Sequence, residues 1–210
     1  MIDHRHRQTP VRNQGDRPTC VGFAVSAALE WMEGDSLVRS PEDAIWAGHQ
    51  EGGPTHLEET SVSLALSGLT RLRHAQESAW PYGTPSWPAP RPSKARLSKY
   101  QTTLPLWRKN PGSWDAVRRA LANENAVVLT LRFVASAWLS SGPEVDAPPG
   151  RKCPTNHAVL VVGIAETSDR LAESVIVKNS WGVGWGLAGY GFVSRRYLEH
   201  YVVRAHELED

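Results

Sequence analysis

Residues 10–33 constrain this chain more than any other stretch. A polar loop containing Pro10, Gly15 and Pro18 delivers one cysteine, Cys20, and an apolar helical pattern starts directly behind it. Val21, Ala24, Val25, Ala28, Leu29 and Met32 recur at spacings of three and four, which predicts a helix with a buried face. A thiol at the N-terminal end of a helix sits among unpaired N–H groups and a partial positive charge, and both favour thiolate over thiol. Gln14, six residues earlier, offers a side-chain amide near the same spot. Free cysteine is also a common core residue. On this stretch alone, a reactive thiol and a packed one read equally well.

The 210 residues suffice for one domain or two closely packed lobes. A net charge of +1 gives no bulk electrostatic case for nucleic acid or a membrane surface as partner. No apolar run approaches the ~20 residues that span a bilayer. Two cysteines, Cys20 and Cys153, are too few for a disulfide framework, so a reducing, cytoplasmic setting is expected. His4, His6, His49, His56, His74, His200 and His206 show no ligand spacing with a cysteine or carboxylate cluster; neither a metal nor another cofactor is expected.

Residues 1–13 read as an extended arm. Ser40-Pro41-Glu42-Asp43 is a helix start, with a Ser cap, Pro in the first turn and acidic residues at the positive end. Residues 60–73 carry a second amphipathic pattern. Residues 80–95, with five prolines, read as an irregular connector crossing between lobes. Trp80-Pro81-Tyr82-Gly83, Trp87-Pro88, Trp181-Gly182 and Trp185-Gly186 look like aromatic pins that hold loops to a scaffold. Ser113-Trp114-Asp115 opens a helix to about Asn123. Strands are predicted over 126–133, 157–164, 174–178, 190–194 and 201–206, around a Gly/Pro-rich loop at 140–156. Helices thus fill the first half and antiparallel strands the second: an α+β chain with two segregated lobes.

The chemistry gathers at strand ends. His157 opens a strand straight after a loop, and Asn179 closes a later one. A cysteine nucleophile needs an imidazole partner, and that imidazole needs a third group to set its tautomer. Two neighbouring antiparallel strands would bring His157 and Asn179 together, with the Cys20 helix end facing them across a cleft. Singly, each is an ordinary surface His or turn Asn. In this order and combination the ordinary reading weakens.

Pro10-Val-Arg-Asn-Gln-Gly followed by Cys20, Asn156-His-Ala-Val159 and Lys178-Asn-Ser-Trp-Gly-Val-Gly-Trp-Gly186, with Gly189-Tyr-Gly191 behind, resemble the papain-like cysteine peptidases. Glu77-Ser-Ala-Trp-Pro-Tyr82 is similar to that family's mid-chain Tyr-Pro-Tyr segment. The resemblance runs from about Val11 to Val193. It implies a single papain-like domain over 1–210: a helical lobe over 14–104 with the Cys20 helix at its centre, and an antiparallel, barrel-like β lobe from 1–13 plus 105–210. It further implies Cys20 as nucleophile, His157 as its ion-pair partner and general acid, Asn179 as the group orienting His157, and Gln14 with the Cys20 N–H as oxyanion hole. Trp181 corresponds to a tryptophan that shields the Asn–His bond. In such a pair the cysteine pKa falls to roughly 3–4, and one oxyanion donor is worth ~3–4 kcal/mol.

The chain departs from that pattern in ways that bear on function. Arg17 and Val21 stand where a disulfide cysteine and a tryptophan are usual, and the other family disulfides have no counterparts; the resemblance is to a divergent, bacterial-type member. Where a backbone-binding Gly-Gly is usual, the chain has Leu57-Glu58-Glu59-Thr60; Gly52-Gly53 is a candidate substitute. Glu59 and Thr60, with Asn156 and Trp181, are the residues expected to meet substrate. The 22-residue interval from His157 to Asn179 implies a long hairpin around 166–173. Cys153 reads as a structural loop cysteine. No inhibitory propeptide is visible before Met1: either one has been removed or control comes from elsewhere, a separate inhibitor or regulatory partner being the candidate. The function implied is hydrolysis of peptide or isopeptide bonds in a peptide or protein substrate. The rivals are acyl transfer (transamidation or deamidation) at the same site, and a catalytically idle peptide-binding module.

Overall fold

The computed structural model describes residues 1–34, 37–52, 58–83, 90–97, 101–102, 104–166 and 173–209. Helix α1, Cys20–Glu33, is its central element. The spacing predicts one buried face, but residues from Val21 to Trp31 are buried all round. The reason is tertiary: α1 packs on a sheet along one side and on α2 (Pro41–Gln50) and α3 (Val62–Leu72) along the other. Each fully buried large side chain, such as Leu29 or Trp31, contributes about 1.5–3 kcal/mol relative to exposure. Gly34 ends the helix in the left-handed conformation.

Helix α2 starts as its sequence predicts. The Ser40 side chain accepts from the Asp43 N–H, and Pro41 occupies the first turn. In α3 the Ser61 side chain accepts from the Leu64 N–H. α2 and α3 approach closely because residue 68 is glycine; a Cβ there would overlap the Ala47 carbonyl.

The second half builds an eight-stranded sheet with β1 (Ile2–Asp3), β4 (Leu106–Asn110), β5 (Ala126–Arg132), β6 (Glu144–Val145), β7 (Asn156–Ala165), β8 (Ser174–Lys178), β9 (Tyr190–Ser194) and β10 (Val202–Glu209). The order is β4-β10-β5-β7-β8-β9-β6, with β1 on β7. A barrel-like lobe was expected; the sheet is open. The pairings are antiparallel except β6 with β9. The short pair β2 (His74–Ala75) and β3 (Gln101–Thr102) stands apart. β5 is apolar on both faces because α1 covers one and α4 (Trp114–Ala122) with α6 (Arg195–Tyr201) covers the other.

The arm at 1–13 is joined to the sheet: Ile2 pairs with Ile164, and a 3-10 turn follows at Arg5–Arg7. The last predicted strand is displaced. Tyr201 ends helix α6, whose start is capped by Ser194, and the strand runs from Val202. β4 and the one-turn helix α5 (Ala135–Trp138) carry too little periodicity to be read from sequence. The β7–β8 hairpin is present, pairing Ala165 with Ser174, while its tip lies outside the described residues, as does Trp87-Pro88.

The described part of the proline-rich connector is fastened by a buried ion pair. Arg91 Nε and Nη2 donate to the Asp43 carboxylate at 2.7 and 2.9 Å, and the Arg91 guanidinium lies 5.0 Å over the Trp46 ring. Among the described residues no helix is long and apolar enough to cross a membrane.

Candidate active site

Cys20 is the first residue of α1, so the N–H groups of the first turn have no helical partner. The backbone N–H groups of Ala158, Val21 and Cys20 itself lie close enough to the sulfur to favour its thiolate. The Ala158 contact sets the thiol against β7 beside His157.

His157 Nε2 lies 2.8 Å from Asn179 Oδ1, and the Ser180 N–H also donates to that oxygen at 2.8 Å. A backbone N–H can only donate, so the atom it meets is the amide oxygen. The oxygen cannot donate back, so His157 carries its proton on Nε2 and leaves Nδ1 as the basic nitrogen. Trp181 stacks on the imidazole at 4.7 Å, Trp138 meets it edge-on at 5.1 Å and Phe133 at 6.2 Å. Trp138 and Phe133 were not picked out in the sequence; they join the cage only because the 133–138 turn folds over β7. The Asn179 Nδ2 atom is buried without a partner.

Gln14 is tied to the same segment. Its backbone N–H donates to Ser180 O at 2.8 Å, Asn13 bridges to Trp181, and the Ser180 hydroxyl donates to Gln14 Oε1. Gln14 Nε2 spends one N–H on the Arg17 carbonyl at 2.7 Å and keeps a second. Arg17 is itself pinned by Glu42 and Glu58 and lies 4.7 Å over the Tyr82 ring. The Tyr82 hydroxyl donates to Gln14 O at 2.7 Å and meets Thr19. An ion-pair network thus braces the loop at the position where the family resemblance implies a disulfide. Gly189 packs under this loop with φ of 90°, and a side chain there would overlap Val11.

Gln14, Cys20, Glu59, Thr60, Asn156, His157 and Trp181 line one cleft of about 650 Å³, and Asn179 stands behind His157. That volume suits a peptide segment or a drug-sized ligand. Gly52 does not line the cleft, and Gly53 lies outside the described residues. Cys153 is half-buried, its thiol donating to Arg151 O at 3.3 Å. Among the described residues no three His, Cys, Asp or Glu side chains converge as a metal site.

Burial moves both members of the pair toward their neutral forms. It raises the Cys20 thiol, against the lowering effect of the three N–H groups, and Glu59 adds to the rise. It pushes His157 down to about 4, against the raising effect of the Asn179 bond. A thiolate–imidazolium pair here therefore depends on the mutual attraction of the two charges and on those N–H donors. Either arrangement holds one proton on the pair. His157 takes up a proton as pH falls through about 4, so a base at this position would be lost there. Turnover is expected to lose half its kcat/KM near that pH with a slope of one and to stay flat from pH 5 to 7. A half-point above pH 6 would contradict this.

Residues 70–207, well over half the chain, match the model of the papain family of cysteine proteases. The chain is 28% identical over 206 residues to cathepsin K of Mus musculus, covering 92% of this chain and 59% of that protein. It is 27% identical over 195 residues to chymopapain of Carica papaya, covering 90% and 52%. It therefore spans between half and three fifths of the length of these relatives. Among solved structures, xylellain, a cysteine protease from Xylella fastidiosa, superposes with a TM-score of 0.81 at 20% identity over 99% of this chain and 85% of the other. A digestive procathepsin L 3 of Tenebrio molitor superposes with a TM-score of 0.81 at 23% identity, covering 98% and 68%. The two structural likenesses establish the fold, and with the family match the conclusion is direct: this chain belongs to the papain family of cysteine proteases.

Proposed function

We propose that the chain is a cysteine peptidase that hydrolyses peptide or isopeptide bonds through an acyl-enzyme on Cys20. The observation that carries this reading is the His157 tautomer. With Nε2–H held by Asn179, the basic Nδ1 serves a thiol on the same cleft wall. In the proposed reaction Cys20 Sγ attacks the carbonyl carbon. The oxyanion takes hydrogen bonds from the free Gln14 N–H and the Cys20 N–H. The proton taken from the thiol passes through His157 to the leaving amine, which departs. Water, giving a proton to His157, then attacks the thioester; the acid leaves and the thiol is regenerated. Glu59, Thr60, Asn156 and Trp181 would meet the substrate on either side of the bond.

The same reading treats 1–210 as one catalytic domain, with 14–104 as the helical lobe and 1–13 plus 105–210 as the β lobe. Pairing of β1 with β7 supports that grouping. Two free cysteines suit a cytoplasmic, reducing setting. A separate inhibitor or regulatory protein is the proposed means of control.

Glu59, which shares the cleft with the thiol, is the observation that keeps acyl transfer in play, since a carboxylate there can receive an acceptor amine. Product analysis by mass spectrometry decides. With a peptide mixture and excess amine, free acids are expected and a peptidyl epoxide is expected to add only to Cys20. Amide products in place of acids would establish transfer, and epoxide addition undiminished in Cys20→Ala would end the proposal.

A further inference from the structure

The sheet register extends the cleft in one direction from Cys20. Ala158, which lines the cleft with Cys20, pairs across strands with Thr130, and Thr130 pairs with Arg204. Directly paired residues share a face, and strands lie about 4.8 Å apart. Arg204 is therefore about 10 Å across the sheet from Ala158, on the same face, and all three line the cleft.

Charge is distributed unevenly along this row. Arg204 is exposed and makes no ion pair among the described residues. Exposed Lys109, opposite His206 on the neighbouring strand, is likewise unpaired. His206 meets Ser63 of α3 at 2.8 Å. Burial first, then Arg204 and Lys109, push His206 down to about 4, so it is a neutral hydrogen-bonding group there. Glu207, on the opposite face, is already spent on Arg108, Asn110 and Asn125. Glu59 is the carboxylate near Cys20. The cleft is thus negative beside the thiol and positive at its far end, with hydroxyls between.

We propose that Arg204 selects a carboxylate-bearing side chain in the peptide substrate, within two or three residues of the scissile bond. The inference rests on the peptidase reading for its setting, but binding alone can test it. At about 3.3–3.6 Å per residue, a side chain that close to the bond reaches Arg204 over Thr130. Arg204 accepts the carboxylate through charge-assisted hydrogen bonds. Its exposure moderates the gain, so roughly ten-fold preference is expected.

The test uses positional-scanning peptides carrying Glu, Gln or Lys. Binding is measured on Cys20→Ala by fluorescence anisotropy at low and high salt, and turnover on the unmodified enzyme. One position is expected where Glu exceeds Gln about ten-fold and Lys by more. The preference shrinks in salt, vanishes in Arg204→Gln and inverts toward Lys in Arg204→Glu. A Glu preference that survives Arg204→Gln overturns the inference, as does equal binding of the three series. Turnover without preference removes the inference and leaves the peptidase. Preference in binding without turnover does the reverse. Neither binding nor turnover removes both.

Discussion

Cys20→Ala is expected to reduce peptide turnover by at least about four orders of magnitude, to the level of the uncatalysed or contaminant rate, while leaving the fold intact. The expected size follows from the proposed chemistry. Without sulfur there is no acyl-enzyme, and the remaining groups stabilise an oxyanion that no longer forms. Alanine suits a helix start packed against Ala158, removes one polarizable atom, and leaves α1 buried as before. Thermal midpoint and far-ultraviolet dichroism should therefore match the parent. Residual turnover within ten-fold of the parent would exclude Cys20 as nucleophile. A collapse in thermal midpoint would mean that Cys20 is a packing residue, the alternative open from its sequence context alone.

Asp43→Ala is expected to cost about 3–5 kcal/mol of stability, read as a shift of the urea midpoint. The Asp43 side chain is fully buried and accepts from Arg91 and from the Ala75 N–H at 2.7 Å. Burial pushes the carboxyl up, and Arg91 opposes this. Removing the carboxylate strands the Arg91 guanidinium, 6% exposed, without a counter-charge, held by the carbonyls of Leu72 and Arg73 and the face of Trp46. The double variant Asp43→Ala/Arg91→Met should recover much of the loss, because the penalty lies in the unpaired charge. Equal destabilisation in single and double variants would assign the effect to lost packing. The loss is a large fraction of the total for a domain of ordinary stability, so the connector is expected to detach in the single variant.

Several elements were legible because their signals are local. The spacing behind Cys20 predicts α1, Ser40-Pro41 predicts the start of α2, and residues 174–178 form β8 as read. β4 was missed because its pattern is mostly exposed, and α6 because Tyr197 and Tyr201 suit a strand as well as a helix until Ser194 caps them. At the site, residue types and chain order singled out Gln14, Cys20, His157 and Asn179. The tautomer of His157 depends on a Ser180 N–H whose direction has no sequence signature.

The sequence by itself determined the helix that carries the thiol, the strands that bear His157 and Asn179, and the loss of disulfide partners around residue 17. These depend on periodicity and residue chemistry within a few positions. Only the tertiary structure decided that Arg17 binds Glu42, that Arg91 binds Asp43, and that Arg204 shares a row with Thr130 and Ala158. Charge pairs and cross-strand neighbours join residues tens of positions apart. Their choice is made by distance and burial, and no spacing along the chain encodes either.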